Sequence, residues 1–332
     1  MTMKIIRFSL LALLLAGSKM VMAQSAKQED FRPHGKALVQ VFSNFTYRLS
    51  DSKGKPSFDI SRAYLGYEYA FSHRFSGKVI FDAGRPDTSG IKLSAVLKNA
   101  YLQYNGDKLR LNFGVIPTSQ FMLQDKFWGH RYVAPTFMDA YHFGPEADLG
   151  ASLAWKFSPY VQLDVSVLNG EGYQKLQQDS ALQYTTGLTI QPVKNLYARF
   201  YFDHIKKGMS QNTYSAFLGY AGSKVTAGLE YNYQLSHANV NDQDRSGISL
   251  YATMKLKRHS NLFIRYDKLW SKRNDGALDG WDVLNDGRLY LAGIDFHPVK
   301  GVTISPNMSG WYPVHDTHHI VSRFNLSLQF KF

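Results

Sequence analysis

The last ten residues, Arg323 to Phe332, alternate polar and apolar without a break and stop on an aromatic. Period two places Phe324, Leu326, Leu328, Phe330 and Phe332 on one face of a strand and Arg323, Asn325, Ser327, Gln329 and Lys331 on the other. The same pattern recurs and predicts sixteen strands, over 37–48, 58–71, 74–83, 97–104, 107–115, 148–157, 160–169, 184–191, 194–203, 212–220, 223–234, 246–256, 260–269, 287–297, 300–311 and 319–332. Such lengths suit tilted strands crossing a bilayer. After even-numbered strands the links are tight: Ser72-His73, Asn105-Gly106, Ser158-Pro159, Gln191-Pro192-Val193, Ala221-Gly222, Lys257-Arg258-His259 and Pro298-Val299. After odd-numbered strands they are longer and polar, as over 50–56 and 271–286. An all-β transmembrane antiparallel β-barrel with both termini in the periplasm requires this alternation, and a β-sandwich has no reason to produce it.

Facing follows from the pleat. Leu196, Ala198, Phe200 and Phe202 are expected to face lipid, with Tyr197, Arg199, Tyr201 and Asp203 in the lumen. Leu109, Leu111, Phe113 and Val115 alternate in the same way with Arg110, Asn112 and Gly114, and Val161, Leu163, Val165 and Val167 with Gln162, Asp164, Ser166 and Leu168. Strands 212–220 and 287–297 alternate more weakly, with apolar residues on both faces. Sixteen strands, as opposed to eight, enclose an aqueous channel. The longest link, Ile116 to Ala147, contains Pro117, Pro135 and the aromatic-basic run Lys126-Phe127-Trp128-Gly129-His130-Arg131-Tyr132. A link of this length is usually functional, and folding inward it would narrow the pore.

The N-terminus reads as an export signal: basic Lys4 and Arg7, an apolar run from Ile5 to Ala16, and small residues before Gln24. The expected division is therefore 1–23 signal peptide, 24–36 periplasmic N-terminal segment and 37–332 barrel, with the mature chain in the outer membrane of a Gram-negative bacterium. There is no cysteine, so no disulfide staples the chain. No run of about 18 apolar residues is present, which excludes a helical membrane protein. Without Lys4, Arg7 and Lys19 the chain keeps 35 basic and 26 acidic side chains. Export argues against nucleic acid as the partner of this charge and leaves outer-membrane lipid and lipopolysaccharide, or an anionic solute. The 48 aromatics, many of them tyrosines near strand ends, suit an interfacial girdle.

Lumen positions predicted by the pleat include Arg48, Arg62, Lys78, Arg110, Lys156, Arg199, Lys255, Arg265, Arg323 and Lys331, against Glu68, Asp82, Asp164, Asp203, Glu230, Asp267 and Asp295. Two readings stand side by side: the charges pair across strands, or the cations form a ladder that lowers the barrier for anions. Lys126, His130 and Arg131 are the constriction candidates in the long link, with Asp125 and Asp139 close by. His315, His318 and His319 cluster with Asp316, but an exposed polar loop supplies neither a closed ligand set nor a supporting shell, so no metal and no cofactor is expected. Lipase- or protease-type barrel enzymes and structural or adhesin barrels are the alternatives. Ser72-His73 and Ser236-His237 are sequence neighbours, a poor arrangement for a relay, and the chain has no Gly-x-Ser-x-Gly or His-Glu-x-x-His. A lumen lined by Gly66, Gly114, Ser152 and Gly228 does not read as plugged.

Four local features, Asn169-Gly170-Glu171-Gly172, Asp148-Leu149-Gly150, Gly114 leading to Pro117, and the terminal Phe332, make the chain resemble the phosphate-selective porin O and P family over essentially its mature length. The resemblance implies a sixteen-stranded, homotrimeric channel for small hydrophilic solutes, with Phe332 as the outer-membrane assembly signal. Where the family usually follows the glycine with lysine, Val115-Ile116 intervene.

Overall fold

A computed structural model describes residues 31–49, 54, 56–84, 94–257, 259–273, 280–314 and 320–332. The expected signal peptide and the histidine cluster at 315–319 lie outside the described residues. Sixteen strands form one closed antiparallel barrel: β1 His34–Arg48, β2 Pro56–Ala70, β3 Phe75–Gly84, β4 Ser94–Asn105, β5 Leu109–Pro117, β6 Ala147–Ser158, β7 Val161–Leu168, β8 Gln183–Val193, β9 Leu196–Lys207, β10 Met209–Ala221, β11 Val225–Leu235, β12 Asp244–Lys255, β13 Ser260–Lys272, β14 Gly287–Phe296, β15 Val302–Pro313 and β16 Val321–Lys331. Each strand pairs with its sequence neighbours, and β1 closes on β16 with Val41 opposite Phe330 and Phe45 opposite Leu326. The closing contact is reciprocal, Val39 N donating to Phe332 O and Phe332 N to Val39 O, each at 3.1 Å. Closure leaves no sheet edge unpaired.

All sixteen expected strands are present, and the pleat sorts their residues as the alternation predicts. Phe113, Phe200, Val165 and Val167 are exposed on the outer surface, while Arg199, Tyr201, Asp203, Asp164 and Ser166 are buried toward the interior. Two link expectations are corrected. The turn between β8 and β9 falls at Lys194-Asn195, with Asn195 in the left-handed region (φ 69°), and not at Gln191-Pro192-Val193. Pro192, which has no N–H to give a ladder, sits where the pairing register shifts between Ile190 and Val193. The link after β9 is not long: β9 and β10 run on until Gly208 alone joins them, and its φ of 81° is open to glycine at little cost.

The third long link folds into the barrel. It carries two short helices, α1 Met122–Trp128 and α2 Phe137–Ala140. Its rings build two apolar clusters against the wall. Phe127 and Trp128 pack with Phe217, Tyr251, Phe263 and Leu291, and Phe137, Met138 and Phe143 pack with Leu269. The inner wall is cut away to receive them: a Cβ on Gly219 would lie 2.6 Å from the Phe127 ring, and one on Gly247 only 2.0 Å from that of Phe137. The weak alternation of β10 and β14 now has its reason. Phe217 and Leu291 are apolar on the inward face because the loop, and not water, covers them.

Candidate functional site

The loop divides the lumen into a packed side and an open side. On the packed side, polar wall residues reach for loop backbone. Arg199 forms a two-pronged pair with Asp164 (2.7 and 2.9 Å) and donates to Ser119 O at 2.8 Å. Arg265 pairs with Asp267 (Nη2 to Oδ2, 2.7 Å), donates to Pro135 O, and lies 5.1 Å from the Trp128 ring centroid. Gln234 donates to Phe143 O at 2.8 Å, and Tyr141 donates to Asp267 at 3.0 Å. His130 is buried, with Nδ1 2.7 Å from Trp128 O and Nε2 2.8 Å from Asp295 Oδ2. Arg199, Arg265 and His130 were candidates for a lumen field; the structure commits their donors to the loop and to carboxylates on the wall.

On the open side a cavity of about 480 Å³ is bordered by Tyr64, Lys78, Lys98, Arg131, Glu146 and Lys331, with Asp125 beside them. Glu146, just before β6, receives Lys98, Arg62 and Arg131 together. Burial pushes its carboxyl up, but the three cations overrule burial, Lys98 most strongly, and hold it down to about 2. Arg131 also reaches Asp139 (2.6 Å) and Asp125 (3.4 Å). The Tyr64 hydroxyl accepts from Arg62 (2.8 Å) and Lys98 (3.1 Å), and Lys98 Nζ is 4.4 Å from its ring centroid. Four cationic and two carboxylate side chains therefore border this cavity together with the last residue, Phe332, and one of the carboxylates is already shared among three cations. Lys331 also borders a second cavity of about 560 Å³ with His259, His297 and Lys300 toward the short-turn end.

Three candidates lie elsewhere. Lys126 is exposed on α1 and has no hydrogen-bond or ion-pair partner among the described residues. Arg110 donates to Asn105 (3.2 Å) at the short-turn end. Arg323 stands opposite Arg48 at the long-loop end.

Lys98 and Glu146 escaped the sequence reading. Strict alternation fails at Lys98 because the register of β3 against β4 shifts between Ile80 and Phe81: Leu97 faces Phe81, Asn99 faces Ile80, and Lys98 is the extra residue. The adjacent polar pair Lys98-Asn99 inside Val96-Leu97-Lys98-Asn99-Ala100 is the signal that marks it. Glu146 stood in the long link, where period two says nothing.

No family model matches the chain, and no curated protein matches it. Solved structures do. OprB of Pseudomonas putida in its high-pH structure superposes with a TM-score of 0.67 at 9% identity, covering 90% of this chain and 94% of that one. OmpF of Salmonella typhi, in complex with daunomycin, gives 0.66 at 10%, covering 90% and 97%. An anion-selective porin from Comamonas acidovorans gives 0.63 at 10%, covering 91% and 100%. At these identities the likeness establishes the fold alone: a closed sixteen-stranded antiparallel barrel similar to those of outer-membrane porins.

Proposed function

We propose that the protein is an outer-membrane channel of a Gram-negative bacterium through which small hydrophilic solutes diffuse passively, with a preference for anions such as phosphate. The observation that carries the reading is the open-side cavity, whose lining cations Lys78, Lys98, Arg131 and Lys331 outnumber the lining side-chain carboxylates Asp125 and Glu146, with Lys78 also 3.7 Å from Glu68 and Arg131 2.6 Å from Asp139. In a narrow, low-dielectric passage an excess of fixed positive charge lowers the barrier for an anion and raises it for a cation. No chemical step is involved; the solute gradient drives transport. Lys126, exposed on the loop and without a side-chain partner among the described residues, adds its positive charge to the loop's field. The likeness to an anion-selective porin supports the same direction. Residues 1–23 serve as the export signal, Phe332 serves as the assembly signal, and the barrel works as a homotrimer in contact with lipopolysaccharide.

Planar-bilayer recording in a salt gradient, comparing chloride, phosphate and potassium, tests this reading. The wild type is expected to show a reversal potential of anion sign, and Lys126→Glu with Arg131→Glu to erase or reverse it. Cation preference in the wild type sinks the anion reading. Unchanged selectivity and conductance in the double variant remove the loop from the solute path.

A further inference from the structure

The outer wall over β12–β15 is ordered in rows along the cross-strand register. Nearest the waist, Ala252, Ile264, Ala292 and Met308 stand side by side. The next row toward the long loops is Leu250, Tyr266, Tyr290 and Gly310, with the two tyrosine rings 5.1 Å apart. Above it come Ile248, Lys268, Arg288 and Tyr312. Lys268 and Arg288 are thus directly opposed on adjacent strands, on the face turned away from the lumen. Among the described residues neither has a hydrogen-bond or ion-pair partner; Lys268 Nζ lies 5.3 Å from the Trp270 ring centroid. Directly opposed like charges destabilise a sheet, and a charge on the outer face of a barrel is tolerated only near the interface.

We infer that Lys268 and Arg288, flanked by Trp270 and Tyr312, form a binding site for a phosphate group of an anionic lipid in the outer leaflet. Opposed Cβ atoms about 5 Å apart let an ammonium and a guanidinium fork converge on one phosphate. The source is a lipid and not a free solute because the pair faces away from the channel and stands above an aromatic row and an apolar row, the sequence of depths that headgroup, interface and acyl chain require. The inference rests on the outer-membrane reading above.

The mature protein in detergent is titrated with lipid A carrying both phosphates in mixed micelles, with Trp270 fluorescence as readout and Trp270→Phe as its control. Lys268→Gln with Arg288→Gln is expected to weaken binding roughly twenty-five-fold, at about fivefold per cation near a membrane surface. Lys206→Gln, which removes another exposed cation from the outer surface of β9, is expected to leave affinity unchanged. Dephosphorylated lipid A is expected to bind the wild type no better than the double variant binds lipid A. Equal lipid A affinity for wild type and double variant overturns the site, as does equal affinity for phosphorylated and dephosphorylated lipid. Competition by inorganic phosphate at matched concentration overturns the lipid assignment. Heat-modifiable electrophoretic migration verifies that each variant is a folded barrel, and bilayer recording separates the two readings: a wild type that binds lipid A through these cations yet passes no current defeats the channel proposal and leaves this one standing.

Discussion

The two faces of the third loop obey opposite rules. Toward β10–β14 it presents Phe127, Trp128, Phe137, Met138 and Phe143 to apolar clusters, and Arg199, Arg265 and His130 are spent on its backbone or on wall carboxylates. Toward β2 and β4 it presents Arg131 and Glu146 to a charged cavity with Tyr64, Lys78 and Lys98. A loop can set a pore's field only if its position is settled by something other than that field. Burial of rings on one side supplies the position, so the charges on the other side, gathered on Glu146, face the cavity without having to hold the loop. On the proposed reading the packed face is an anchor and the open face a filter.

The comparison breaks most visibly at Trp128, whose side chain has no solvent exposure. Trp128→Ala removes the centre of the larger cluster and the ring under Arg265, at a cost to the loop's anchorage of about 3–5 kcal/mol. Single-channel recording is expected to show a larger and noisier conductance, and limited proteolysis a new cut within 118–146. A variant with wild-type conductance and protease resistance would mean that the aromatic face does not hold the loop.

The filter face is tested by Glu146→Gln, which keeps the shape and removes the charge shared by Lys98, Arg62 and Arg131. One unit charge several ångströms from the solute path in a wet pore is worth about 0.5 kcal/mol, so chloride over potassium permeability is expected to rise roughly two- to threefold. Reversal potentials measured before and after the change decide it. An unchanged ratio would place the cavity off the conducting route, and a shift toward potassium would overturn the sign assigned to it.

The difference between anchor and filter also explains what the chain discloses by itself. Period-two alternation exposes any strand whose two faces meet lipid and water, as in β7 and β9, where Val165 and Val167 or Phe200 face out while Asp164 and Arg199 face in. It blurs where the inward face meets protein, as at Phe217 and Leu291, since both faces then call for apolar residues. It fails at bulges, which is how Lys98 was hidden. It cannot say whether an inward arginine is free or already paired, because Asp164 is 35 residues from Arg199 and Ser119 is 80. The inward cations were legible as a list of positions; which carboxylates pair with Arg62, Lys78, Arg199 and Arg265 was not.

Acidification gives the smallest effect and separates the outer mouth from the filter. His237 follows β11, stacks on Trp281 with centroids 5.5 Å apart and pairs with Gln234 at 2.5 Å. Burial, then Arg245 and His142, push its imidazole from 6.5 down to about 4. A lowered value means that the fold prefers the neutral ring, so the stabilisation is complete above pH 6.5 and is lost as pH falls toward 4. Glu146 is lowered too, from 4.5 to about 2, and its ionised form is the one the fold prefers; its contribution is intact above 4.5 and lost only as pH falls toward 2. Titration from pH 7 to 3.5 is therefore expected to change Trp281 fluorescence, with the change centred near pH 4, while ion selectivity holds, and His237→Gln to flatten that fluorescence change. Selectivity that drifts across the same interval, with Trp281 silent, would show that the charged cavity and not the mouth is the acid-labile part.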